Sequence, residues 1–224
     1  MARTYGHYCA IARTLELIGE RWTLLVVREL LTGPKRFKDL RDGLPGVGTA
    51  LLTERLRALE EAGLVRRSTL PPPAGVGVYE LTDAGTELRP LVMEVARWGL
   101  RWALDDPADD VFRPSWAVLA MQAIFDPDAA RGLRVACEFR VGDEIFHAAI
   151  EDGRIETAQG AASAPDLVVE TDASTFRAVA AQELSLTDSV REGRANLRGN
   201  LAELRRVERS LRPPERIARA ATAS

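Results

Sequence analysis

The chain has few residues with which to do chemistry. Among 224 residues there are two histidines, His7 and His147, which lie in opposite halves, and two cysteines, Cys9 and Cys137. Neither a Cys-x-x-Cys pair nor a Gly-rich phosphate loop occurs, so metal and nucleotide-phosphate sites have no motif to rest on. Cys137, Asp143 and His147 have the residue types of a nucleophile set. However, Cys137 falls on the apolar side of an alternating segment, where a thiol is usually buried and inert. We therefore expect no enzyme, no cofactor and no metal. An apolar run of about 18 residues is missing, as is the apolar core of a signal peptide, which predicts a soluble, cytoplasmic protein with no membrane partner. Two cysteines in such a chain are expected to stay thiols. Internal repeats are absent, and the nearest thing to low complexity is the Ala- and Arg-rich tail from Ile217 to Ser224, expected to fray.

A general excess of positive charge is also missing, because the net charge is -3. The acidity is not evenly spread. Residues 1–105 hold 15 Lys/Arg and 13 Asp/Glu, whereas 106–224 hold 15 and 20. Between Lys35 and Arg67 there are 8 basic and 5 acidic residues, so positive charge gathers in one short stretch. A modest, salt-sensitive electrostatic field is expected there.

That stretch has the strongest pattern in the chain. From Trp22 to Leu31 apolar residues recur at helical intervals until Gly33-Pro34 stops them. A short amphipathic turn follows, with Phe37, Leu40 and Leu44 able to face inward while Lys35, Arg36, Lys38 and Arg41 stay solvated, before Pro45-Gly46 breaks the chain. Gly48-Thr49 then caps a helix in which Leu52, Leu56 and Leu59 form one buried face, and Gly63 ends it. Residues 64–69 and 78–81 read as paired strands, joined by a loop from Pro71 to Gly77. Three short helices followed by a hairpin make a winged helix-turn-helix, whose partner is duplex DNA.

In a helix-turn-helix the N-terminal part of the second helix enters the major groove. With Leu52 at the centre of the buried face, Ala50, Thr53, Glu54 and Arg57 point away from the core and Thr49 sits at the exposed end. Thr49, Thr53 and Arg57 are thus the candidate base readers. Arg66 and Arg67 on the wing are placed for phosphates, and Arg36 and Lys38 complete the basic surface. Arg55 lies on the flank, able either to reach a phosphate or to pair with Glu16 or Glu20 inside the domain.

The stretch from Tyr5 to Trp102 resembles the HxlR-type transcriptional regulators, winged-helix homodimers related to the MarR group. The resemblance rests on Cys9-Ala10-Ile11-Ala12, Gly19-Glu20-Arg21-Trp22-Thr23-Leu24-Leu25, Gly33-Pro34 with Arg36-Phe37, Leu44-Pro45-Gly46-Val47, Leu51 to Arg57, Leu59-Glu60, Gly63-Leu64-Val65 and Tyr79-Glu80-Leu81-Thr82. It implies that the first helix and the helix after the wing build a dimer interface, and that the helix from Thr49 to Ala62 reads DNA. It also implies that Cys9 can sense oxidants or quinones, although Cys9-Ala10 stands where members often have Cys-Pro. The residues themselves agree on a dimer. Leu88, Leu91, Val92, Val95, Trp98, Leu100 and Trp102, in a helix expected from Asp83 to Leu104, are too many apolar groups for a small domain to cover alone. Ile11, Leu15, Leu17 and Ile18 offer a second such surface. A two-fold dimer would set two recognition helices one DNA turn apart over a roughly palindromic operator.

After the acidic, Pro-containing segment that begins at Asp105, the period changes. A helix is expected from Trp116 to Phe125. Leu133, Val135, Cys137, Phe139 and Val141 then alternate with Arg134, Ala136, Glu138 and Arg140, as in a half-buried strand. Turns at Gly142-Asp143 and Asp152-Gly153 predict an antiparallel meander through 144–151 and 154–158. A strand at 166–171, a helix capped by Asp172 or Ser174, a short helix near 186–191, a strand at 194–198 and a helix at 201–211 follow.

This half resembles the sterol-carrier-protein type 2 superfamily, through Pro165 to Asp172, Ala180 to Ser185 and Glu192 to Asn200. That resemblance implies an apolar cavity, for which Trp116, Met121, Phe125, Phe139, Phe146 and Phe176 are the candidate walls; the same residues also suit an ordinary core. The expected fold class is α+β: a winged helix-turn-helix with dimerisation helices (1–105), a linker (106–114) and a sterol-carrier-like domain with a five-stranded, mainly antiparallel sheet (115–216). The expected function is that of a dimeric regulator, a repressor, modulated by a hydrophobic small molecule. The alternatives are a hydrophobic-ligand carrier, or a redox-sensing regulator acting through Cys9.

Overall fold

A computed structural model describes residues 4–102 and 111–214. The chain divides into two compact units, 1–92 and 93–224. Residues 106–110 of the expected linker and the tail from Ile217 lie outside the described residues.

The first unit runs α1 (Ala10–Ile18), α2 (Thr23–Leu30), α3 (Phe37–Gly43), α4 (Thr49–Glu61), β1 (Val65–Thr69), β2 (Gly77–Leu81) and α5 (Asp83–Thr86). Leu52, Leu56 and Leu59 of α4 are fully buried together with Val26 and Val27 of α2 and Leu40 of α3. Burying each such side chain is worth roughly 1.5–3 kcal/mol, which holds the three short helices that propensity alone would not. At the end of α4, Gly63 has φ +69°, and the Leu64 N–H donates to the Leu59 carbonyl while the Gly63 N–H donates to that of Glu60. These two bonds form a Schellman stop, and they turn the chain into β1.

β1 and β2 pair antiparallel, with Arg66 opposite Glu80 and Arg67 opposite Tyr79. A third segment joins this wing. Lys35 and Tyr79 exchange both backbone bonds, at 3.0 and 2.8 Å. Lys35 is consequently buried, not solvated as its charge suggested.

The helix expected from Asp83 to Leu104 is two helices, α5 and then α6 (Arg89–Trp102), with residues 103 and 104 outside the described range. Pro90 explains the break, because it has no N–H to give the preceding turn and its ring clashes with it. The division between the units falls within α6.

The second unit continues with a 3-10 turn (Pro114–Trp116), α7 (Ala117–Ile124), β3 (Arg134–Val141), β4 (Glu144–Glu151), β5 (Arg154–Gln159), β6 (Leu167–Thr171), α8 (Ala173–Ala180), α9 (Leu186–Arg191), β7 (Ala195–Arg198) and α10 (Leu201–Ser210). The sheet order is β5-β4-β3-β6-β7, antiparallel except for β3 beside β6. The chain therefore makes a meander and then returns alongside its first strand. Val135, Cys137, Phe139 and Val141 line one face with Phe146, Ala148 and Ile150, and α7, α8, α9 and α10 contribute Val118, Met121, Phe176, Leu186, Leu204 and Val207 to the same core.

The opposite face departs from simple alternation at Glu138, which is 1% exposed. Its carboxylate accepts from Arg140 Nε at 2.7 Å and from the Ala162 N–H at 2.8 Å. The loop after β5 covers it. Burial acts to raise the Glu138 pKa, but these two bonds and the charges of Arg140 and Arg198 more than offset it and hold the group below its ordinary value.

Candidate nucleic-acid interface

The outer face of α4 carries Thr49, Thr53 and Arg57, all exposed. Gly48 sits in an extended conformation as the N-cap, so Thr49 opens the helix at its free end. The Thr53 hydroxyl donates back to the Thr49 carbonyl at 2.9 Å. Its hydrogen is thereby committed, and what remains for a base edge is the methyl group and an acceptor lone pair. Arg57 extends one turn further and is held at Nε by Glu61 Oε1 at 2.7 Å. That bond and the charge of Glu61 raise the guanidinium pKa still further.

On the wing, Arg66 Nε donates to Glu80 Oε1 at 2.8 Å across the β1–β2 pair. Arg67 is held on two sides. Its Nε and one terminal nitrogen reach both oxygens of Glu60 at 3.0 and 3.4 Å, and its guanidinium lies over the Tyr79 ring, 5.3 Å from the centroid. Arg36 and Lys38, at the start of α3, are exposed; the Arg36 N–H donates to Asp39 Oδ2 at 3.2 Å and closes the first turn.

Arg55 differs from these arginines. Its side chain is 13% exposed, with Nε on the Arg21 carbonyl at 3.2 Å, one terminal nitrogen on Glu54 at 3.1 Å and the other on Glu20 at 3.5 Å. Of the two roles the sequence left open, this is the pairing inside the domain. Glu20 is the partner, because Glu16 is taken by Arg13, Thr4 and the Tyr5 N–H. The residues that sequence reasoning missed are the carboxylates Glu60, Glu61 and Glu80. Only the Arg57–Glu61 pair had a readable signal, its i,i+4 spacing.

A model of the HxlR-like helix-turn-helix family matches residues 17–106. The transcriptional regulator sll1512 of Synechocystis, described as uncharacterized, is 38% identical over 97 residues, which cover 43% of this chain and 72% of that one. YodB of Bacillus subtilis, an HTH-type transcriptional regulator, is 36% identical over 95 residues, covering 42% and 83%. The chain belongs to the HxlR-like family. Like its relatives it is a DNA-binding transcriptional regulator. The solved structure of reduced YodB aligns with a TM-score of 0.37 and 34% identity, over 42% of this chain and 92% of that one. The surface described above lies wholly within the HxlR-like part.

In the second unit the candidate cavity walls pack on one another. Phe139 and Phe146 stack at 5.2 Å between centroids, and Phe176 closes on them at 6.3 and 5.6 Å. Such spacing leaves no room for a ligand between these three rings, so they act as core. Met121 is buried in the same cluster, whereas Trp116 and Phe125 are half-buried. Cys137 is completely buried and burial pushes its thiol up to about 12. His147 pairs with Glu138, the neighbour of Cys137, and therefore projects from the other face of the sheet, where its Nδ1 donates to the Gly160 carbonyl at 2.9 Å. The two are not brought together. Cys9 is exposed at the N-cap of α1.

Proposed function

We propose that this HxlR-like protein is a homodimeric repressor that reads a roughly palindromic operator with α4 and anchors its wing on phosphates. The observation that carries the reading is the exposed row Thr49, Thr53 and Arg57 on a helix whose other face is locked into the core by Leu52, Leu56 and Leu59. Dimerisation is supported by two helices with exposed apolar faces: Ile11, Leu15 and Leu17 on α1, and Leu91, Val95, Trp98 and Trp102 on α6. Leaving such faces in water is costly, and a two-fold partner removes them from it.

Selection of duplexes from a random-sequence pool, followed by sizing of the complex, tests this. A palindromic consensus bound by two chains is expected, with specificity lost in a Thr53→Ala/Arg57→Ala chain that remains dimeric. Absence of any enriched sequence would overturn the reading.

The input to such a regulator has two candidates. Cys9 is exposed at the head of α1, one of the two apolar helices, so its oxidation would act close to the proposed dimer contact. A hydrophobic effector in the second unit would have to sit beside, not between, the three phenylalanines. A Cys9→Ser chain that still releases DNA on oxidation would eliminate the first input. We place the protein in the cytoplasm, where its DNA is, and assign it no catalysis. Among the described residues no helix is long and apolar enough to cross a membrane, and no cluster of potential metal ligands occurs.

A further inference from the structure

Each arginine that the candidate interface offers from the recognition helix and the wing is already held by a carboxylate of the same unit. Arg57 is held by Glu61 at 2.7 Å, Arg66 by Glu80 at 2.8 Å, and Arg67 by both oxygens of Glu60. The three glutamates come from two elements. Glu60 and Glu61 are the last two residues of α4, and Glu80 is on β2. They reach three different arginines, so the pairing is not one local accident of helix spacing. A carboxylate presents two oxygens to a guanidinium much as a phosphate does.

We propose that Glu60, Glu61 and Glu80 stand in for DNA phosphates in the free protein, so that Arg57, Arg66 and Arg67 meet DNA only by exchange and DNA affinity is held down. The inference rests on the interface reading above. Binding to arbitrary DNA comes almost entirely from phosphate contacts, each releasing a counterion. Here an arginine must give up a glutamate before it meets a phosphate, and the glutamate left behind faces the backbone as a like charge. On the operator the same exchange is required, at Arg57 for a base edge and at Arg66 and Arg67 for phosphates. The specific and the non-specific affinity therefore fall by a similar factor. This suits a chain whose first half carries only a small positive excess.

The pairs are not equivalent. Arg67, held by two oxygens and by the Tyr79 ring, resists exchange most and serves least as an anchor. Arg57 and Arg66, each with a single bond, exchange most readily.

The test uses the full chain with a mixed-sequence duplex of about three helical turns and the duplex enriched by the parent protein. A Glu60→Gln/Glu61→Gln/Glu80→Gln chain is compared with a Glu87→Gln/Glu156→Gln/Glu183→Gln chain, which has the same net charge but none of the three pairs. The paired-site chain is expected to bind the mixed-sequence duplex about tenfold more tightly, each single substitution giving about two- to fivefold. The gain should shrink as salt rises. Affinity for the enriched duplex should increase by a similar factor, so that discrimination changes little. An equal gain in the control chain, or a change below about twofold in the paired-site chain, overturns the proposal. An Arg57→Ala/Arg66→Ala/Arg67→Ala chain separates the two levels. If it binds both duplexes like the parent, the interface reading itself fails; if it loses binding while the glutamine chain gains none, only the present inference fails. Circular dichroism and thermal melts confirm that each variant is folded.

Discussion

Arg55 Nε donates to the backbone carbonyl of Arg21, 34 residues earlier in the chain, at 3.2 Å. The bond ties the middle of the recognition helix to the turn before α2, where Trp22 is held at φ +78°, a left-handed conformation unusual for a bulky residue. The Arg21 guanidinium meanwhile lies over the Trp22 ring, 5.6 Å from its centroid. A basic residue inside a DNA-binding surface is thus used to fix the angle of the helix that reads DNA.

Replacing Arg55 by Ala should therefore behave as a scaffold change. It leaves the Arg21 carbonyl without its protein donor and Glu20 without its partner, at a cost of about 1–2 kcal/mol. Urea denaturation should show that loss, and a lysine at the same position should not recover it, because an ammonium cannot make the forked contact. If Arg55→Ala leaves stability unchanged but weakens DNA binding and makes it less dependent on salt, the residue contacts phosphate after all.

Gly85 offers a sharper test of the packing behind the wing. A Cβ built there would lie 2.0 Å from the Leu64 carbonyl oxygen and 3.0 Å from a methyl of Leu81. The obstacle is backbone, at the residue that leads α4 into β1, and it cannot rotate away. Gly85→Ala should cost about 3 kcal/mol or more, read as a lowered urea midpoint with the wing and α5 losing hydrogen-exchange protection first. Gly48→Ala makes the control, since a Cβ there meets nothing within 4 Å.

Where local rules decide, the sequence could be read closely. Leucine spacing located α4, Gly63 located its end, and the Gly142 and Gly153 turns located the β3–β4–β5 meander. Three features were hidden because they depend on neighbours distant in sequence. Lys35 is buried by a backbone bridge to Tyr79, 44 residues later. Glu138 is buried by a loop that also supplies its hydrogen bond. The six candidate cavity residues look identical in sequence whether they line a void or fill it, and only the ring spacing of Phe139, Phe146 and Phe176 shows that these three fill it. The candidate interface was readable as a list of basic residues, but the division between outward Arg57 and inward Arg55 depends on where Arg21 lies.

The two thiols should separate completely in reactivity. Cys9 is exposed, while Cys137 is fully buried and its thiol is pushed up to about 12, mainly by burial and further by Glu138. The thiolate is the reactive form, so Cys137 is protected by access and by protonation together. Mass spectrometry after brief alkylation at neutral pH should show one adduct, on Cys9, and a second only in denaturant. Modification of Cys137 in the folded chain at a comparable rate would contradict the buried position of β3.

Acid should act on the second unit through Asp172. This carboxylate caps α8, accepting from the Ser174 hydroxyl at 2.5 Å, the Thr175 N–H at 2.7 Å and the Thr175 hydroxyl at 3.1 Å. Led by the Ser174 bond, these contacts lower its pKa from 3.8 to about 2 against a small opposing effect of burial. The folded value lies below the unfolded one, so the unfolded chain takes up this proton first as the pH falls. The stabilisation is complete above about 4 and is lost progressively toward about 2, and Glu138, also held below its ordinary value, adds to the same trend. An Asp172→Asn chain keeps an acceptor at the cap but cannot titrate, so it should be less stable than the parent near neutrality and converge with it toward about pH 2. Urea midpoints taken across that range decide the matter. A constant gap between the two chains at every pH would mean that the cap acts through its shape alone and that the charge of Asp172 contributes nothing.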